Sequence, residues 1–131
     1  MNRSELREHL FRMLFRIEFH DESEYEEQMK LYTEALADPS EAELSYLLGK
    51  SSKVIEKVSE LDQMIDEAVF GWKTDRMGRV ELTIIRLALY EIKFDDDVPT
   101  GVAINEAVEL AKRYGNTESA SFVNGVLARL A

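Results

Sequence analysis

The chain has no cysteine among its 131 residues. That excludes disulfides, thiolate metal ligands and cysteine nucleophiles, and it suits a reducing compartment. Histidine is nearly absent too. His9 and His20 are the only two, and their separation exceeds the i, i+3 or i+4 spacing that would put two ligands on one helical face. No Glu-x-x-His motif of the di-iron bundles occurs. The six glycines are scattered at helix ends and turns, apart from Gly125 inside the last helical stretch, so no phosphate-cradling loop exists. No serine sits in a Gly-x-Ser-x-Gly setting. The Asp95-Asp96-Asp97 run reads as a solvated loop. These absences lead us to expect no enzyme: no catalytic residue, no metal and no cofactor. Apolar runs fall well short of the ~20 residues of a membrane span. The opening residues also lack the apolar core of a signal peptide. The expectation is a cytoplasmic protein with no membrane contact.

What is present is charge, unevenly spread. The formal net charge is −10. Residues 1–20 carry four Arg and three acids, residues 21–70 carry four Lys and fourteen acids, and residues 71–131 carry eight bases and nine acids. The imbalance therefore sits in the middle, and both ends could still form a local basic patch. Net charge bears on solubility and association rather than on fold.

The two prolines, Pro39 and Pro99, both fall at breaks in helical pattern. No stretch alternates long enough for a strand, and no internal repeat is found. A first helix is expected from about Ser4 to Phe19. At 100° per residue, Leu6, Leu10, Met13, Leu14 and Ile17 form one apolar arc, and Phe11, Phe15 and Phe19 form another nearly opposite. Ser23 to Glu26 reads as a capping box opening a second helix that runs to about Ala37, and Ser40 to Glu43 as another. Gly49-Lys50-Ser51-Ser52 is expected to separate two helices. The next helix carries Val54, Ile55, Val58, Leu61, Ile65, Ala68 and Val69, and Phe70-Gly71-Trp72 ends it. Residues 79–94 are apolar nearly all round, the mark of a central buried helix. A sixth helix spans Val102 to Ala111, with Gly115 placed to end it. A last one runs from about Glu118 to Leu130. The fold class is thus all-α: six or seven helices forming two small packed bundles, at about 1–75 and 76–131, within one domain of residues 1–131.

Two features point to binding. Arg3, Arg7, Arg12 and Arg16 punctuate the first helix. Pairing with Glu5, Glu8 and Glu18, at a few tenths of a kcal/mol each, is the reading the spacing favours; phosphate contact is the functional alternative. The Phe11, Phe15, Phe19 stripe is either buried against the other bundle or an exposed protein interface. Gly125, in mid-helix, costs about 1 kcal/mol relative to Ala, which implies a close approach by a helix or a ligand.

Four segments carry a resemblance. Residues 81–91, Val98-Pro99, residues 102–112 and Phe122-Val123-Asn124-Gly125-Val126-Leu127 resemble the NusB family of bacterial transcription antitermination factors, in the family's order and spacing. Arg7-Glu8 followed by Leu14-Phe15 resembles its N-terminal motif. The detailed likeness covers about half the chain; residues 21–75 match only in helical pattern. The resemblance implies a fold of two small helical bundles and a non-enzymatic adaptor. It implies binding of boxA RNA of ribosomal RNA transcripts together with NusE, a small-subunit ribosomal protein. It further implies a place in the RNA polymerase elongation complex, and some members form homodimers. Carried over by position, Arg3, Arg7 and Phe122 fall at the RNA, with Arg86 as an RNA or structural candidate. Phe15, Phe19 and Glu81 fall at NusE. Asn105, Glu106, Asn124 and Gly125 are assigned to packing and polar satisfaction in the core, and Glu118 to the RNA side of the last helix. Ser4 and Glu5 interrupt the family's arginine run, and Ser121 stands where some members have lysine, so the RNA surface has lost positive charge. Two alternatives keep the fold: a protein-binding helical scaffold, or an RNA-binding module like the N-terminal domain of ribosomal RNA cytosine methyltransferases, for whose catalytic domain this chain has no room.

Overall fold

The computed structural model describes residues 1–69 and 73–131, so the expected stop at Phe70-Gly71-Trp72 lies outside the described residues. Among those described, seven α-helices form and no strand does: α1 (Arg3–Phe15), α2 (Tyr25–Glu34), α3 (Glu41–Glu56), α4 (Val58–Ala68), α5 (Arg79–Phe94), α6 (Thr100–Tyr114) and α7 (Ser119–Leu130). The all-α expectation holds. The chain divides into two compact units, Met1–Glu56 and Lys57–Ala131.

In the first unit, α1 packs on α2 and α3, and α2 on α3. Asn2 caps α1: its Oδ1 accepts from the Glu5 N–H at 2.8 Å, and Glu5 Oε1 accepts from the Asn2 N–H at 3.3 Å. The terminal ammonium of Met1 also donates to Glu43 at the start of α3. That bond raises the amine's pKa above its usual value, and the same bond, helped by the Ser40 N–H, holds Glu43 below the usual carboxylate range. The expected first arc is the inner face, with Leu10, Met13, Leu14 and Ile17 all buried. The α-helical form ends sooner than expected, at Phe15, and Arg16–Phe19 tighten into a 3-10 turn.

The cap of α2 lies two residues earlier than the spacing predicts. Asp21, not Ser23, supplies it with Glu24, and Glu22–Glu24 enter the helix as a 3-10 turn. Aspartate accepts from helix N–H groups as well as serine does, so two overlapping boxes were available. Asp38 then takes a left-handed φ of 47°. Pro39 bars it from the right-handed helical region, and Asp tolerates the alternative better than most residues. The Ser40–Glu43 box forms as expected, at 3.1 and 2.9 Å. The expected interruption at Gly49 to Ser52 does not occur, because α3 runs straight through. Leu47, Lys50, Ser51 and Val54 form one buried stripe at helical spacing, and packing of that stripe outweighs the weak helix preference of Gly and Ser. The Ser51 hydroxyl donates back to the Leu48 carbonyl at 3.2 Å.

The break comes instead at Lys57, with φ −99° and ψ 2°. It places α4 with the second unit, where the sequence reading put a boundary near residue 75. The cause is the apolar face of α4, whose Leu61 and Ile65 are fully buried, while the helix packs on α5 and α7. α5 spans the predicted residues and is central, touching α4, α6 and α7. α6 stops beside Gly115 as expected, but not through a left-handed turn: Gly115 has φ −98°. Space is the reason, since a side chain there would collide with the Ser119 hydroxyl and the Ala111 carbonyl.

One assignment is overturned. Glu106 is half-buried on the flank of α6, but Asn105, Asn124 and Gly125 are exposed and do not fill the core. They lie on the outer faces of α6 and α7, opposite Ala103, Ala107, Val123 and Val126, which are buried. Nothing lies within 4 Å of the place a Gly125 side chain would occupy. Gly125→Ala is therefore expected to raise stability by about 1 kcal/mol, the helix preference of Ala over Gly. An unchanged or lower urea midpoint would show that the open space is not available.

Candidate functional site

Each unit presents its own set of residues. On the first, the aromatic stripe of α1 runs from interior to surface. Phe11 is buried at 3% exposure and stacks on Phe15 with centroids 5.9 Å apart. Phe15 is half-buried and meets Phe19 edge-on at 5.1 Å. Phe19, at the end of the 3-10 turn, is 56% exposed. Phe11 thus belongs to the interior, and the exposed aromatic surface narrows to Phe19 and one side of Phe15. Beside it, Arg16 Nη1 donates to Gln28 Oε1 at 3.2 Å and its guanidinium lies 5.1 Å from the centre of the Tyr32 ring. The Tyr32 hydroxyl bonds His9 Nδ1 at 2.7 Å.

The three arginines of α1 do not share one fate. Arg3 and Arg12 are exposed, and Arg12 pairs with Glu8 at 3.9 Å. Arg7 is buried, at 6% exposure. Positions 7, 10, 11 and 14 form one helical stripe, and the buried Leu10, Phe11 and Leu14 carry Arg7 inward with them. An arginine so placed does not offer its head to a phosphate in solution.

Arg86, on the second unit, faces Asp62 of α4 across a two-pronged ion pair. Nε and Nη2 donate to Oδ1 and Oδ2, both at 2.7 Å, and the side chains are only 11% and 24% exposed. This planar match of guanidinium to carboxylate is the strong form of the pair. It ties α4 to α5. Sequence gave no sign of Asp62, since a partner 24 positions away leaves no local pattern.

Phe122 stands near the head of α7, half-exposed, at the wall of a cavity of about 260 Å³. The wall also holds Met77, Gly78, Glu81, Asn116, Glu118 and Ser119. A hydrogen-bonded turn builds it. Asn116 Oδ1 accepts from the Glu118 N–H at 2.9 Å, the Asn116 N–H donates to Ser119 Oγ at 3.0 Å, and the Ser119 hydroxyl donates to Glu81 Oε1 at 2.9 Å. The Glu81 carboxylate folds back over Gly78, lying 2.6 Å from where a side chain there would begin. Glu81 and Phe122, read from sequence as belonging to two different surfaces, therefore line one cavity. Asn116 and Ser119 were not singled out by sequence; their signal was an Asn-x-x-Ser turn closing on a helix start.

Among the described residues, no group of three or more His, Asp or Glu is placed to hold a metal ion. No helix among them is long and apolar enough to cross a membrane.

Comparison with known proteins gives a consistent answer. The model of the NusB family matches residues 4–131. The transcription antitermination protein NusB of Agathobacter rectalis is 60% identical over 131 residues, covering all of both chains. That of Lachnoclostridium phytofermentans is 54% identical over 130 residues, covering 99% of this chain and 98% of its own. Among solved structures, Thermotoga maritima NusB superposes with a TM-score of 0.88 at 32% identity, over 100% of this chain and 91% of that one. A chain in a crystal structure of a plectonemic RNA supercoil gives 0.85 at 26% identity, over 98% and 92%. On sequence, fold and coverage alike, this chain belongs to the NusB family of transcription antitermination proteins.

Proposed function

We propose that the protein binds boxA RNA of ribosomal RNA transcripts together with NusE and helps RNA polymerase resist termination, as a non-catalytic adaptor. Family membership supports the general role, and the fold shared with a chain crystallised with RNA supports the ligand. The observation that carries the reading on this chain is Phe122, a partly exposed ring beside a cavity that Met77, Glu81, Asn116, Glu118 and Ser119 help to line. Single-stranded RNA is recognised by such rings, on which an unstacked base can lie. On the first unit Arg3 supplies an exposed cation, while Phe19 and Phe15 supply the NusE-facing apolar surface. Arg7 and Arg86 act from within: Arg7 by filling the inner side of α1, Arg86 by joining α4 to α5. Glu81 shapes the cavity wall and is reserved for whichever partner enters there.

Exposed cations among these residues are few, in a chain of net charge −10. Binding by the protein alone should therefore be weak, with a shallow salt dependence, and NusE should strengthen it. Each missing phosphate contact lowers the salt slope by about one unit. The measurement is a titration of boxA RNA, with and without NusE, at two salt concentrations. Equally tight binding without NusE would refute the dependence. Retention of NusE with no RNA binding in either arm would favour a protein-binding scaffold, the reading to which the burial of Arg7 lends weight.

A further inference from the structure

α3 carries two stripes side by side. The first, Leu47, Lys50, Ser51 and Val54, is the buried one. The second, Leu48, Ser52 and Ile55, follows the i, i+4, i+7 spacing of a helix face and is only partly covered. α2 lies beside it and presents Met29, which is buried, and Tyr25, which is half-buried, one turn apart. Between the two helices runs a groove of about 420 Å³ with these five residues in its lining. Ser52 is why it stays open. Leu48 and Ile55 stand on either side of it, and a hydroxymethyl group at the middle position is too short to close the gap.

The rim has the opposite character. Glu22 and Glu26 border the groove, and both are exposed. Residues 21–34 hold six acids and one base, Lys30. That base already shows what the rim attracts: its ammonium stands 3.4 Å from Glu26, with side chains 61% and 86% exposed. An exposed pair of this kind contributes little and exchanges readily for another cation. An apolar floor under a carboxylate rim selects its occupant by charge. A nucleic acid is excluded, since the rim repels its phosphates. A second copy of this chain on the same face would set one acidic α2 against another. The chemistry that fits is a segment with apolar side chains on one face and lysine or arginine along its edges.

We propose that the groove between α2 and α3 docks a basic amphipathic helical segment of a partner protein, its apolar face on Met29, Leu48 and Ile55 and its cations on Glu22 and Glu26. From Leu48 to Ile55 the floor spans about 10 Å at the rise of an α-helix, room for two turns of the incoming segment. A contact of that size suits a transient complex rather than a permanent one. None of these residues serves the RNA-binding reading, so the two stand or fall separately.

The test titrates the full chain with a synthetic helical peptide of about 14 residues, with leucine at i, i+3, i+4 and i+7 and lysine elsewhere, and follows the backbone amide resonances by NMR. The expected result is saturable binding with shifts centred on Tyr25, Met29, Leu48 and Ile55. Glu22→Gln combined with Glu26→Gln should weaken it about fivefold. Glu27 and Glu34 are exposed acids of α2 outside the lining. Glu27→Gln combined with Glu34→Gln changes the net charge equally and should alter affinity less than about twofold at physiological salt. Ser52→Arg sends a long cation into the groove from an exposed position and should weaken binding by about tenfold or more, with an unchanged thermal melt. Replacing the peptide's leucines by serine should abolish binding. Absence of binding, equal weakening by the two glutamine pairs, or shifts spread over the whole acidic surface would overturn the proposal. So would a dimer of the chain alone that Ser52→Arg dissociates, which gives the groove to a second copy. Loss of NusE binding in Ser52→Arg would overturn it too, by giving the groove to the NusE surface.

Discussion

Asp62→Ala should cost about 3 kcal/mol of stability, because it removes the carboxylate that meets the Arg86 guanidinium in a two-pronged pair inside the second unit. Breaking a buried ion pair from one side costs about 3–5 kcal/mol, since the remaining charge keeps its desolvation penalty and loses its compensation. Asp62 is 24% exposed, which admits some water and puts this pair at the lower end. Arg86→Ala should cost a similar amount, with lost packing of its long stem added to the orphaned carboxylate. Arg86→Lys keeps the charge but not the fork, and an ammonium cannot meet both carboxylate oxygens at 2.7 Å as Nε and Nη2 do; an intermediate loss is expected. Urea unfolding followed by circular dichroism reads all three. The same variants decide what Arg86 is for. If it is structural, folded Arg86→Ala protein binds RNA with wild-type affinity. Reduced affinity with undiminished stability would return Arg86 to the RNA surface.

Arg86 also shows what the sequence could convey. Its position on α5 was plain, because nearly every side of residues 79–94 is apolar, and that pattern has only one structural outcome. α6 and the capping box of α3 were legible for the same reason: the signals are local and do not compete. Where two local signals overlapped, at Asp21 and Ser23, geometry chose between equals. Where a local signal opposed a packing stripe, at Gly49 to Ser52, the stripe prevailed. A periodic pattern can name a face but not its depth. Arg7 and Arg3 look alike as cations on one helix and lie on the same stripe as Leu10 and Leu14, yet Arg3, at the first residue of α1, is exposed while Arg7, one turn further in, is buried. The candidate site suffers most from this limit. Phe122 could be singled out from a motif, but the cavity next to it is assembled from Glu81, Asn116 and Ser119, which come from two helices and the turn before one of them. No local pattern relates residues 38 positions apart.

Phe122→Ala should lower boxA affinity by about tenfold to a hundredfold, the range for removing one base-stacking aromatic. The ring is half-exposed, whereas its neighbours Val123 and Val126 carry the packing of α7. Folding stability should therefore change far less than binding. Phe122→Leu separates two explanations: leucine preserves apolar contact but has no flat π face, so it should recover little affinity if stacking is the interaction. The salt slope supplies a second, independent reading. Stacking releases no counterions, so the slope should be the same in Phe122→Ala as in wild type, while Arg3→Gln should flatten it by about one unit with a smaller loss of affinity. A Phe122→Ala protein that binds boxA as tightly as wild type would remove the ring from the interface. A loss accompanied by a flattened slope would mean that the substitution had displaced a cation, and that the basic surface rather than the ring holds the RNA.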